Sequence, residues 1–343
     1  MKIKCFYAIS CFVSLIVLAS CDNDSKTTEI KTADSLANAS IPVELKELNK
    51  QLLADPKNPD LYHKRAQYYY NTKNFEAGLA DMAHVMKIDS SKAEYFLTLS
   101  DLYFVTNKTR NAKAALEKCV AIDNKNIDAI LKLAELYLYL NKHDKSIECI
   151  NNALKLDQYN SKAYFMKGMN YKELKDTAKA ISSMQTAVEQ DKEYYNAYMQ
   201  LGILCAAKKN NLASQYYKNA IRIQPRSIEA WYDLGKYYQD VSDLSNAVGT
   251  YMSLLQFAPG NKFAHYNLGV IYLIGLKKND IAVQHFTDAI TIDPKYVEAY
   301  YGRGITYQTM KDVKKAVVDF RACLAIDPQY QSAEIALKKL NGK

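Results

Sequence analysis

Glycine and proline are scarce in this chain, 11 and 7 among 343 residues, and tryptophan occurs once. So few breakers, beside a hydrophobic share of 49% and 28 tyrosines, argue against disorder and suit a helical protein with a large core. Long apolar runs are missing too. The one continuous stretch, Cys5–Ala19, falls short of the 18 or so residues that read as a membrane-spanning helix. The formal net charge of +8 is spread thinly over the chain, without the dense basic stripe that nucleic-acid binding needs. Nucleic acid is therefore not an expected partner. Nothing reads as a nucleophile elbow, a zinc-protease helix or a Walker loop. Gly302–Gly304 spells GRG, but it sits in a helical pattern with neither a preceding strand nor a third glycine. No enzyme and no cofactor are expected.

What is present begins at the amino terminus. Lys2 and Lys4 precede the apolar run, as the charged and hydrophobic regions of a secretory signal do. The run ends in Leu18-Ala19-Ser20-Cys21, which resembles the bacterial lipobox, where lipid is attached to the cysteine and the signal is cut just before it. That resemblance implies a signal peptide at 1–20 and acyl chains on Cys21. Each buried CH₂ contributes about 0.8 kcal/mol, and more than one chain gives stable anchoring. Residues 21–41 are rich in Ser, Thr, Asn and Asp without apolar periodicity, and read as a flexible tether.

Beyond the tether the chain repeats. A small residue followed three positions later by tyrosine recurs at Ala66–Tyr69, Ser100–Tyr103, Ala134–Tyr137 and Gly168–Tyr171, every 34 residues. Gly235–Tyr238, Gly269–Tyr272 and Gly304–Tyr307 continue the series, and Gly202–Cys205 fills the gap with its tyrosine replaced. Eight units tile the chain at 59–92, 93–126, 127–160, 161–194, 195–227, 228–261, 262–296 and 297–330. A period this long marks a solenoid. The unit 195–227 is one residue short and 262–296 one residue long, and both changes are expected in the turn between helices. Small residues from Gly78 to Ala316 mark close helix crossings, and Tyr217, Tyr251, Phe286 and Phe320 supply bulk between units. Pro225, Pro259, Pro294 and Pro328 stop the second helices of the last four units. The first four end in Asp-Ser, Asp-Asn, Asp-Gln and Asp-Lys instead. Solenoid ends need covering, and residues 42–58 and 331–343 each offer a capping helix.

These residues resemble the tetratricopeptide repeat, most clearly in the unit starting at Ile228. There Trp231, Leu234, Gly235 and Tyr238 match the family's first helix, and Ala247, Tyr251 and Pro259 its second helix and stop. The resemblance implies an all-α, right-handed superhelical solenoid whose first helices line an inner groove for a partner's peptide or helix. Carried over position by position, the groove columns contain Leu97, Phe104, Leu131, Tyr139, Phe165, Met169 and Met199. They continue through Ile203, Tyr232, Tyr266, Val270 and Tyr301, an apolar and aromatic stripe with Asp233 and Lys236 beside Tyr232. Unit 195–227 contains no acidic residue, and Glu229, Asp233, Lys236 and Asp240 follow it. An acidic spot between apolar walls suits a segment with Lys or Arg flanked by large apolar residues, unless Lys236 satisfies both Asp233 and Asp240 along the helix.

Cys119, Cys149, Cys205 and Cys323 follow no metal-ligand spacing and read as small buried hydrophobes. His265 and His285 fall in the two helices of one unit, but two histidines without a third ligand make a poor metal site. The expectation is a lipid-anchored scaffold of the bacterial cell envelope, the outer membrane favoured over the inner, holding other envelope proteins. The alternative is a glycan- or nutrient-binding envelope lipoprotein, since tyrosines stack on sugars.

Overall fold

The computed structural model describes residues 41–342. The signal segment 1–20, Cys21 and all of the tether but its last residue lie outside the described residues. Among those described there are eighteen α-helices and no strand. Helix α1 (Val43–Ala54) precedes the repeats, which run as pairs: α2 (Pro59–Asn71) with α3 (Phe75–Ile88), and α4 (Ala93–Val105) with α5 (Thr109–Ile122). Then come α6 (Ile127–Tyr139) with α7 (His143–Leu156), α8 (Ser161–Glu173) with α9 (Thr177–Gln190), and α10 (Tyr195–Ala206) with α11 (Leu212–Ile223). Next are α12 (Ile228–Asp240) with α13 (Leu244–Phe257), α14 (Lys262–Val270) with α15 (Asn279–Ile292), and α16 (Val297–Thr309) with α17 (Val313–Ile326). Helix α18 (Gln331–Asn341) follows the last pair. The chain divides into two compact units at Ala115 and Leu116, inside α5. In the first, Met82, Val85, Tyr95 and Leu102 form the core. In the second, stacked helix pairs share a continuous apolar interior from Met184 to Ile271, with further clusters on either side. This is a helical solenoid.

Each pair is built the same way. The small residue of the second helix is fully buried at Ala112, Ser146, Ala180, Ala213, Ala247, Ala282 and Ala316. At one crossing the Ser146 hydroxyl donates to the Ala134 carbonyl at 2.7 Å, a contact that only a small side chain allows. The first helix supplies the matching space. A Cβ added at Gly235 would lie 2.7 Å from the Tyr251 ring, so the ring packs directly on backbone. Phe286 does the same on Gly269 and also reaches Gly302 of the following repeat, which shows how one ring fastens two repeats.

The turns close on the backbone carbonyl of the position where tyrosine recurs, and equally on Cys205 where it is replaced. One residue per repeat has a left-handed backbone: Lys73, Asn107, Asn141, Lys175, Lys209, Ser242, Lys277 and Lys311, with φ between 51° and 64°. It lets the next amide reach back to the first helix, as Asn74 N–H does to the Tyr69 carbonyl at 2.8 Å and Asp176 N–H to Tyr171 at 2.9 Å. These are Schellman closures. The second helices end on a different device. Asp89, Asp123, Asp157 and Asp191 each accept the amide two residues on, at 2.8–3.0 Å, and Asp293 and Asp327 do so beside their prolines. Aspartate therefore supplies the turn in the four repeats that lack proline.

The two length changes are absorbed differently. In 195–227 both helices shorten, and the connection lengthens to Ala207–Asn211. In 262–296 the extra residue does not fall in the turn, as expected, but in the first helix, whose last turn is a π-helix over Ile271–Gly275. The connection keeps its usual three residues, and Lys278 N–H still reaches the Tyr272 carbonyl at 2.8 Å. Preserving that closure and the Ala282 crossing forces the surplus into the helix as a bulge.

The first and last repeats each carry a two-armed arginine–aspartate ion pair between their helices. Arg65 donates twice to Asp81 at 2.7 Å, and Arg303 donates twice to Asp319 at 2.9 and 2.8 Å. Asp81 and Asp319 are 3% and 2% exposed. Equivalent positions in repeat 228–261 hold Leu234 and Thr250. The capping helices bury Leu48 and Leu52 at one end and Ala333 and Ala336 at the other. No described helix is long and apolar enough to cross a membrane.

Candidate functional site

The first helices of the second unit place a set of aromatic residues in one connected row. Tyr232 of α12 meets Phe263 of α14 edge-on at 6.3 Å between centroids, and Phe263 meets Tyr296 at 5.8 Å. Tyr296 packs on Tyr266 at 5.3 Å, and Tyr266 on Phe286 at 5.8 Å. Further along, Tyr301 of α16 contacts Tyr330 at 5.5 Å. The row forms because groove-side residues of one first helix meet groove-side or N-cap residues of the next, so that Tyr232 reaches Phe263 and both Phe263 and Tyr266 reach Tyr296. Tyr296 and Tyr330, which strengthen it, are not groove columns. They precede their helices as N-cap residues, as Tyr194 does, and their recurrence at that position was the available signal.

The charged residues beside Tyr232 sort themselves. Lys236 pairs with Asp240 one turn on, not with Asp233. Asp233 and Glu229 make no hydrogen bond or ion pair with any described residue. Burial pushes the Asp233 carboxyl up to about 6, and the neighbouring Glu229 adds to the shift. The same two carboxylates act on surrounding phenols: burial first, then Asp233 and Glu229, raise Tyr217, and both carboxylates contribute at Tyr195. Tyr195 in turn meets the Ser227 hydroxyl at 2.7 Å. The result is a half-buried carboxylate with no internal counter-charge, close to Tyr195 and Tyr217.

The other predicted groove residues divide by exposure. Phe165, Met169, Ile203, Tyr232, Asp233, Tyr266, Val270 and Tyr301 are half-buried, each partly covered and partly presented. Tyr139 is 68% exposed, and in the first unit Phe104 is 50% exposed and Leu97 half-buried. Leu131 and Met199 are corrected. Each is 3% exposed and belongs to the core, because the adjoining helices close over that column, so neither offers surface to a partner. Cys119, Cys205 and Cys323 are buried and Cys149 half-buried, and none of the four is in a disulfide among the described residues. Burial raises the Cys149 thiol to about 11 and Cys323 to about 12, which leaves both protonated and unreactive near neutrality.

Comparison with known proteins matches the repeat directly. Tetratricopeptide-repeat models match residues 264–296 and 297–330, and the model of the ChAPs (Chs5p-Arf1p-binding proteins) matches residues 71–267, more than half the chain. The chain carries tetratricopeptide repeats. Its longest matched stretch is that shared with the ChAPs, whose named partners are a property of those proteins. Among solved structures, the C-terminal part of a tetratricopeptide-repeat protein from Cytophaga hutchinsonii superposes with a TM-score of 0.62 at 22% identity. That match covers 69% of this chain and 98% of the other. Pseudomonas aeruginosa pilF gives a TM-score of 0.51 at 16% identity, over 59% of this chain and 93% of its own. At such identities both show the fold alone. A curated relative, the UDP-N-acetylglucosamine–peptide N-acetylglucosaminyltransferase of Giardia intestinalis, is 34% identical over 68 residues. Those residues are 20% of this tetratricopeptide-repeat chain and 4% of the transferase. A match to so small a repeat-bearing part does not make the chain an enzyme.

Proposed function

We propose that this protein is a lipid-anchored scaffold of the bacterial cell envelope that holds partner proteins on the first-helix face of its second unit. The fold and the tetratricopeptide repeats support protein binding in general. The observation that carries the finer reading is Asp233, a desolvated carboxylate with no internal partner, standing beside the row Tyr232–Phe263–Tyr296–Tyr266. A carboxylate in that setting gains most from an external cation, so the bound segment carries Lys or Arg between large apolar residues. The aromatic row supplies the apolar contacts, and most of the affinity is expected there. Anchoring rests on Leu18-Ala19-Ser20-Cys21 and the apolar run before it. The outer membrane is the favoured location.

A peptide array tests the binding site. Peptides with a central Lys or Arg flanked by Leu or Phe are expected to bind, and the same peptides with central Glu are not. The isosteric double variant Glu229→Gln/Asp233→Asn keeps the shape of the wall and should abolish the preference. Binding indifferent to the central charge, or unchanged in that variant, overturns the assignment. Fatty-acid labelling of the expressed chain, lost in Cys21→Ala, tests the anchor separately.

A further inference from the structure

The repeat 262–296 differs from its neighbours in more than length. His265 on α14 and His285 on α15 face each other with their Nδ1 atoms 3.3 Å apart. Asp288, one turn after His285, brings Oδ2 to 3.5 Å from the Nδ1 of His265 and 4.0 Å from that of His285. The third ligand missing from the sequence reading is therefore present, contributed by the same helix face as His285. Each of the three residues offers one ligand atom, and all three atoms lie within 4.8 Å of one another.

Three further details shape the cluster for a cation. First, the distances fit. Bonds of about 2.0–2.2 Å from a zinc-type ion to imidazole nitrogen or carboxylate oxygen place tetrahedral ligands about 3.3–3.6 Å apart. Two of the three separations already lie in that range. The third closes by a turn of Asp288, whose side chain is 41% exposed and free to rotate. Second, the tautomer is set. The Nε2 of His265 lies 3.1 Å from the Pro259 carbonyl, which can only accept, so Nε2 carries the hydrogen and the Nδ1 lone pair points into the cluster. A ligating histidine held through its other nitrogen by a backbone carbonyl is the usual supporting arrangement of metal sites. Third, the π-helical turn delivers Tyr272, whose ring stacks on His285 at 5.6 Å and 7° and fixes the imidazole plane. Helical bulges of this kind concentrate at functional positions.

We propose that His265, His285 and Asp288 bind one divalent first-row transition cation of the zinc type. Two imidazoles and one carboxylate suit such an ion better than magnesium or calcium, which take oxygen ligands. Without metal, His285 donates its Nδ1 hydrogen to His265, and the cation takes the place of that hydrogen while His285 shifts to its Nε2 tautomer. No proton is lost overall. Three protein ligands leave a fourth position for water. The ion ties α14 to α15 within a repeat that lacks the arginine–aspartate fork of the terminal ones.

Cobalt(II) is the probe, added to the full chain produced without a polyhistidine tag. Tetrahedral cobalt gives visible absorption far stronger than the hexaaqua ion, and thiolate coordination adds a near-ultraviolet charge-transfer band. One equivalent should bind with the visible band and without the thiolate band, and bound zinc should raise the melting temperature. Asp288→Asn, at a half-buried position with no backbone role, should fold normally by circular dichroism and weaken cobalt binding at least tenfold; His285→Gln should do the same or more. Absence of the visible band in the wild-type chain overturns the site. So does unchanged affinity in Asp288→Asn, and so does a thiolate band, which would move the ion to a cysteine.

Discussion

Repeats 297–330 and 228–261 treat a carboxylate in opposite ways. In the last repeat Asp319 is almost fully covered and receives both arms of Arg303. In the interior repeat Asp233 is half-buried and receives nothing, while the nearby Lys236 is taken by Asp240. The first arrangement is self-contained. Its charge is balanced within the repeat, and the fork sets the distance between the two helices. The second is incomplete, and its balancing charge has to come from outside the chain. The contrast separates a carboxylate that serves the fold from one that is available to a ligand.

The largest expected effect comes from breaking the self-contained pair. Asp319→Asn leaves the Arg303 guanidinium largely buried without its counter-charge and should cost about 3–5 kcal/mol in denaturant unfolding. Replacing both, as Arg303→Leu/Asp319→Thr, copies Leu234 and Thr250 of the interior repeat and should recover most of that loss. A double variant as unstable as the single one would show that the fork is needed for more than charge balance.

Asp233→Asn is expected to act in the other direction. Its carboxyl is held near 6 in the folded chain against an ordinary value of 3.8, so the folded state binds the proton more tightly than the unfolded one. The unfavourable charge is present in full above pH 6 and is relieved as pH falls toward 4. The variant should therefore gain on the order of 1 kcal/mol at pH 7, and the gain should vanish near pH 4. A pH-independent difference would remove Asp233 as its source. The smallest effect belongs to Lys236→Ala, which breaks only an exposed pair and should change stability by less than about 0.5 kcal/mol.

Much of the fold was legible because each repeat states the same physical requirement again. Ala112 to Ala316 announce the crossings, Tyr251 and Phe286 the bulk between units, and 331–341 the closing helix. Faces were harder. Leu131 and Met199 occupy groove columns by count, yet their exposure depends on how adjoining helices cover them, which a column does not record. The Arg303–Asp319 fork was missed because an arginine in a leucine column reads as surface. Its signal was the recurrence of the same spacing at Arg65 and Asp81. Asp288 escaped for a different reason. Its distance to His265 depends on how α14 and α15 pack, and in this repeat the π-turn alters the end of the first helix, a feature sequence spacing alone does not reveal.

Each Schellman closure refers only to the helix that it ends, and each aspartate turn only to residues two positions away. A gene that gained or lost one whole repeat between equivalent turns would leave every other closure intact. A gene that gained a single codon would not, and the chain shows what that takes: a five-residue connection at Ala207–Asn211 for a loss, and a helical bulge at Ile271–Gly275 for a gain. Length in this protein is therefore nearly quantised in steps of 34 residues. The two departures from the step are the repeats whose local structure had to adjust, and one of them holds the histidine pair.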